Sequence, residues 1–241
     1  MKLGFFGFET AIEFGEENFY SLVFEDANYF YEIASMINRQ ADDGVGEFVL
    51  SQNNKEMKFE SAVTVISSVL DLGLNTKKVQ GLVLKKLAAL AQDDEYFNAF
   101  SDVAERNKKY VEKLAENIDL PLRVERVEPD DVLKAARIVL EESNNLCEQL
   151  QNYIECLLEL TKVKLLILVN FKHLISGAQD EFEKFIAYSG LKVLFIDNFE
   201  TAGFSRTTRI IDADKCEIIK GGGNCNVGYL FATKGQKNKD F

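Results

Sequence analysis

The side chains in this sequence that could do chemistry are few. His173, the single histidine, stands just after the apolar run Leu165–Val169. At a strand end it could serve as a general base toward Ser176 or a cysteine thiol. No orienting group or oxyanion hole is evident beside it, so a surface histidine is the competing reading. Asp197 closes a second apolar run and reads either as a metal ligand or as a loop-capping carboxylate. Glu125, Glu128, Asp130 and Asp131 crowd a junction between an extended segment and a helix. Calcium takes about 6–8 oxygen ligands, and such a junction offers several carboxylates together. The same residues have plainer uses: Asp130 and Asp131 in a first helical turn complement the helix dipole, and Glu125 can pair with Arg123 or Arg126. Lys77, Lys78, Lys85 and Lys86 recur two helical turns apart, as a stripe that could face phosphates without reading bases. Lys108, Lys109 and Lys113 form a second candidate stripe. Either could instead be an ordinary solvated face.

Other chemistry is missing. The phosphate-cradling pattern G-x-x-x-x-G-K-[ST] does not occur. Gly223 and Gly228 have its spacing, but Tyr229 and Leu230 follow where Lys and Ser/Thr must stand, so the stretch reads as a connector. G-x-G-x-x-G, G-x-S-x-G and H-E-x-x-H are absent too. Cys147, Cys156, Cys216 and Cys225 form no C-x-x-C pair, which points to reduced thiols and away from structural zinc. A protein without enzymatic activity is expected.

The elements that must position these residues alternate in character. Leu3–Phe8, Ala11–Phe14 and Ser21–Phe24 read as strands. Residues 27–40 show helical spacing, and Glu47–Leu50 with Glu56–Phe59 flank the turn Gln52-Asn53-Asn54-Lys55 as a hairpin. Residues 61–118 read as helical, with Val63, Ile66, Val69 and Leu70 on one face and breaks at Gly73/Asn75 and at Gln92–Asp94. Pro121 keeps 119–128 extended, and Pro129 opens a new helix. The last third turns to KLLILVN (164–170), a helix over 180–189, LKVLFIDN (191–198), and β segments at Arg209–Ile211 and Cys216–Ile219. Two apolar strands without alternation, joined by a helix, predict a βαβ unit in a parallel sheet covered on both faces. The expected architecture is therefore α/β: a discontinuous head of residues 1–60 and 162–220 with a mixed or parallel sheet, a helical leg of residues 61–161 inserted in it with a hinge near 119–131, and a Gly-, Asn- and Lys-rich tail, 221–241, expected to be partly disordered.

The net charge, 28 − 39 = −11, taken alone argues against nucleic acid. The charge is uneven: residues 1–60 carry 4 Lys/Arg against 12 Asp/Glu, and residues 201–241 carry 7 against 4. An acidic protein can still bind DNA where its lysines gather. No apolar run approaches the ~18 residues of a membrane span, and the first residues lack a secretory pattern, so a cytoplasmic protein is expected.

SLVFEDANYFYEIASMI (21–37), LLILVNFKHLIS (165–176), LKVLFIDNFE (191–200) and RIIDADKCEII (209–219) occur in an order and spacing that resemble the type II-A CRISPR accessory adaptation family, the Csn-two family, over about residues 1–219. The resemblance implies a P-loop-ATPase-like head without Walker motifs, which agrees with the missing phosphate loop. It also implies a homotetrameric ring with a positive hole that takes linear double-stranded DNA from its ends, without sequence preference. Calcium at the hinge acids Glu125, Glu128, Asp130 and Asp131 would hold the ring, and the lysines above would line the channel. The partners would be the adaptation integrase and the RNA-guided nuclease of the same system. Two readings from other classes stand beside it: a protein–protein scaffold with an ATPase-derived fold, favoured by the acidity, and a hydrolase using His173 and Asp197.

Overall fold

The computed structural model describes residues 1–204 and 207–221. In chain order the elements are β1 (Lys2–Gly4), β2 (Ile12–Glu13), β3 (Phe19–Phe24), α1 (Ala27–Asp43), β4 (Val49–Gln52), β5 (Lys55–Glu56), α2 (Phe59–Ala62), β6 (Val63–Ile66), α3 (Lys77–Leu90), α4 (Asp94–Ala115), α5 (Pro129–Ala135), α6 (Leu146–Leu160), β7 (Leu165–Val169), α7 (Gln179–Ser189), β8 (Lys192–Asp197), β9 (Thr207–Ile211) and β10 (Glu217–Gly221). They fall into two compact units, Met1–Asp71 with the chain from Thr161 onward, and Leu72–Leu160. The architecture is α/β. The expected tail lies outside the described residues beyond Gly221, as do Gly223, Gly228 and Cys225.

The first unit holds two sheets. Strands β2-β1-β4-β5 form a four-stranded antiparallel sheet, and β10-β9-β3-β8-β7-β6 a six-stranded one. In the larger sheet β9, β3, β8, β7 and β6 run parallel, and β10 returns antiparallel to β9. Every residue of β7 and of β3 is buried, which is why neither sequence alternates. One face packs Leu22, Phe24, Leu165, Ile167, Leu194 and Ile196 against Ile33 and Ile37 of α1. On the other, Phe19 stacks with Phe195 at 6.1 Å, and Phe204 meets Phe182 of α7 edge-on at 6.0 Å.

Local chemistry ends these elements where it should. Asp26 caps α1 by accepting the Tyr29 N–H at 2.7 Å, and Gly44 closes it at φ 75°. Asn53 and Asn54 turn the β4–β5 hairpin at φ 52° and 59°, the pair of positive angles that a two-residue turn matching strand twist requires. The buried Gln40 amide donates to the Phe48 carbonyl at 2.7 Å and accepts its N–H at 2.9 Å, tying α1 to the start of β4.

One expectation fails. Val63 and Ile66 do not share a helix face: Val63–Ile66 is strand β6, paired in parallel with Leu165–Leu168. A spacing of three fits a helix, and a four-residue edge strand shows no competing pattern. The strand assigns 61–71 to the first unit, so the change of unit falls at Asp71–Leu72 and not at 60–61. The first strands are also shorter than expected, because Phe5–Ala11 is a loop.

Arg209 fixes that loop. Its guanidinium, 2% exposed, sits in β9 and pairs with Glu217 of β10 at 3.0 Å, itself 5% exposed. It also donates to the Thr10 carbonyl at 2.6 Å, the Thr10 hydroxyl at 3.1 Å and the Ala11 carbonyl at 3.3 Å. Phe8 and Tyr20 offer ring faces 5.7 and 5.9 Å from its charge. Glu217 in turn accepts the Glu9 N–H at 2.7 Å. Burial pushes the Glu217 carboxyl upward, and the Glu9 N–H and Arg209 oppose this. Removing one partner of a buried pair strands the other charge, at a cost of about 3–5 kcal/mol. Arg209→Met should lower unfolding stability in urea by that amount, and adding Glu217→Gln should recover more than half of the loss.

Candidate functional site

Helix α3 is the basic element of the second unit. Thr76 caps it by accepting the Val79 N–H, and its sequence KKVQGLVLKKLAAL carries four lysines and no acid. Lys77, Lys78, Lys85 and Lys86 are all exposed. At about 100° per residue, Lys77, Lys85 and Lys78 fall within an arc of about 100°, and Lys86 lies a further ~80° around. The structure bears this out: Lys86 reaches across to Glu159 of α6 at 3.3 Å. The stripe thus comprises three lysines rather than four. Lys77 and Lys78 begin the helix, where the exposed N–H groups already carry partial positive charge. Cations there oppose the dipole by about 0.3–1 kcal/mol each, while an anion gains from both.

The second set of lysines is placed differently. On α4, Lys109 pairs with Glu105 at 2.6 Å and Lys108 with Glu112 at 3.8 Å. Lys113 occupies the last turn, where it complements the dipole. This helix is a solvated face of alternating sign more than a cationic stripe. None of its residues is buried, and Tyr96, Phe97, Val103, Tyr110, Val111 and Leu114 are exposed.

The four candidate acids, Glu125, Glu128, Asp130 and Asp131, are not gathered around one point. Glu125 pairs with Arg123 at 3.5 Å and Glu128 with Arg126 at 3.0 Å. Asp131 accepts the Glu128 N–H at 3.1 Å in a capping box that starts α5 behind Pro129. Asp130 lines a recess with Lys85 and Lys134. Among the described residues no group of three or more His, Cys, Asp or Glu side chains is arranged to hold a metal ion. The donor type suits calcium; the arrangement within one chain does not.

The strand-end residues also resolve. His173 is exposed, with its ring 5.3 Å from Phe199. The Ser176 hydroxyl donates to the His173 carbonyl at 2.9 Å, so it is directed to the backbone and not to the imidazole. Asp197 is 1% exposed, with the Lys172 backbone N–H beside its carboxylate but short of a well-formed hydrogen bond. Burial lifts its carboxyl to about 7, against the charge and backbone N–H of Lys172. At the β3–α1 turn the Asp26 carboxylate takes the helix N-terminus.

A family model described as CRISPR-associated protein (Cas_Csn2) matches residues 40–215. The chain belongs to this family. The fold is similar to that of the crystal structure of Stu0660 of Streptococcus thermophilus, which superposes with a TM-score of 0.55 at 16% identity, over 88% of this chain and 74% of that one. No curated protein matches the sequence. The Csn2 assignment accounts for α/β order and for segments 165–176 and 191–200, which form β7, β8 and the turns after them.

Sequence reasoning passed over Lys172, Ser21, Arg209 and Glu217. A signal was available: Lys172 and Arg209 interrupt otherwise apolar stretches, and a charge inside a buried strand requires a partner. Asp131→Ala should remove the capping box and lower the second unit's stability by about 1 kcal/mol. Glu125→Gln, which breaks only an exposed pair, should stay within about 0.5 kcal/mol. Thermal unfolding by circular dichroism measures both.

Proposed function

We propose that this protein is a non-catalytic CRISPR adaptation factor that binds ends of double-stranded DNA without sequence preference and works as a ring of identical subunits. The head of this reading is the first unit, an ATPase-derived sheet that has lost its nucleotide chemistry. The leg is the second unit. The observation that carries the proposal is α3: a helix with four lysines and no acids in a chain of net charge −11, two of them placed where they cost helix stability. Charge held against local stability points to a ligand that uses it, and a duplex backbone is the ligand that three lysines and a helix N-terminus suit.

Ring formation draws support from α4. Tyr96, Val103 and Tyr110 recur every seven residues on a helix with no buried side chain, a spacing that fits packing against another helix. Calcium enters the reading at the level of the assembly. Bound there it would cross-link carboxylates; in one chain Arg123, Arg126 and the α5 cap hold three of the four acids. The adaptation integrase and the RNA-guided nuclease of the system are the partners this reading implies.

Lys77→Ala, Lys78→Ala and Lys85→Ala together should weaken retention of linear duplex in a gel shift and lower the log–log salt slope by about 0.9 per lost phosphate contact. The same change should leave the melting temperature equal or higher, because it relieves the helix dipole. Closed-circular duplex should not shift. Retention of neither form by the unaltered protein would transfer the reading to a protein–protein scaffold. Phe97→Asp with Val103→Asp should reduce the mass measured by light scattering. Chelation of calcium should do the same in the unaltered protein.

A further inference from the structure

The face of the large sheet covered by α7 contains two opposite charges that do not pair. Asp197 ends β8 at 1% exposure, and Lys172 follows β7 at 2% exposure. The Lys172 ammonium does not bridge to Asp197. It donates to the Ser21 hydroxyl on β3 at 2.9 Å and lies 5.9 Å from the Phe195 ring centroid. Neither Asp197 oxygen has a well-formed hydrogen bond, and the Lys172 backbone N–H acts on the carboxylate only partly. Ionised, such a carboxylate is untenable in an apolar surround, whereas the neutral acid is tolerated. The placement found therefore suits a protonated Asp197.

Few other groups bear on this pair. After β8, Glu200 acts on Lys172 from a distance and is itself held by Lys220 at 2.7 Å. After β7, the His173 ring turns to Phe199. Helix α7 covers the face with Phe182 and Ile186 and sets Glu183 against Gln179 at 2.7 Å. Asn170, at φ 55°, accepts the Asn198 N–H at 3.2 Å and so links the two turns that carry Lys172 and Asp197.

We propose that Asp197, Lys172 and Ser21 form a buried proton-linked switch in the first unit: with Asp197 neutral the Lys172 ammonium rests on Ser21, and with Asp197 ionised it is drawn to the carboxylate, pulling on the 170–176 and 198–204 turns. Burial lowers the affinity of Lys172 for its proton, while Asp197 and Glu200 raise it, so ionising Asp197 also secures the lysine charge. Asp197 is lifted from 3.8 to about 7. The folded state therefore keeps a proton that the unfolded state has shed. Stability from this group is full below the unfolded value and is lost as pH rises through about 7.

The test is a carboxyl-carbon NMR titration of the intact chain, with Asp197→Asn identifying the resonance, paired with melting curves from roughly pH 5.5 to 8.5. The expected result is an Asp197 midpoint near neutrality and a Lys172 side-chain shift with that same midpoint. A melting temperature that falls by several degrees across the range in the unaltered protein should become flat in Asp197→Asn. Lys172→Met should move the midpoint upward by about one pH unit or more. A carboxyl already ionised at the acid end, or a Lys172 resonance that ignores the Asp197 transition, overturns the proposal. Should Asp197→Asn not fold, the titration in the unaltered chain and the Lys172→Met arm still decide.

Discussion

Burying a guanidinium is the constraint around which the first unit is built. Arg209 is buried in strand β9, and a charge so enclosed is tolerable only when nearly all its donors are answered. Glu217, the Thr10 hydroxyl and the carbonyls of Thr10 and Ala11 answer four contacts, two aromatic faces add to them, and Nε alone lacks a partner. The acceptors come from two distant parts of the chain. The hairpin β9–β10 supplies one and the loop after β1 supplies the rest. The small antiparallel sheet is thereby fixed to the large parallel one, and Phe8, Ile12 and Phe14 are brought into the core that both sheets share. A hydrophobic collapse would accept many placements of a short N-terminal loop; a fork of directed donors accepts few.

The distribution of charge in the second unit shows how similar strings of residues differ in function. Lys77-Lys78, Lys85-Lys86 and Lys108-Lys109 are identical dipeptides. The first stands in the opening turn of a helix whose own sequence holds no acid, the second divides between an exposed arc and a pair with Glu159, and the third pairs with glutamates four residues away on its own helix. A potential attractive to phosphate arises only where neighbours do not cancel it. The net acidity of the chain is compatible with that, since fields from exposed charges more than about 8–10 Å apart are screened at ordinary salt.

Much of the fold was legible because buried parallel strands write themselves as unbroken apolar runs. KLLILVN and LKVLFIDN became β7 and β8, Asn53-Asn54 became the hairpin turn, and Pro129 opened α5. What was not legible depended on pairing at long range. Val63–Ile66 is a strand because Leu165–Leu168 lies beside it, and nothing within ten residues of Val63 says so. Arg209 with Thr10, and Lys172 with Ser21, are likewise pairs from opposite ends of the sequence. For the candidate site, the stripe on α3 could be read from spacing, but the diversion of Lys86 and the arginines held by Glu125 and Glu128 required the neighbours to be seen. The family, by contrast, was carried by the order of segments, which survives when individual contacts do not.

The strand order has a consequence for how the chain is made. Strand β3 is flanked by β8 and β9, so the central strand is synthesised well before either of its two neighbours. Until residues 192–211 leave the ribosome, a strand that is fully buried in the native sheet has neither partner, while the second unit is one continuous stretch, Leu72–Leu160, and can fold at once. Closing so long a loop costs little more than closing a short one, but it is slow. The nascent protein thus carries an unprotected sheet edge while the intervening residues are made, a period in which binding by a chaperone, or mispairing with another chain, competes with the native register.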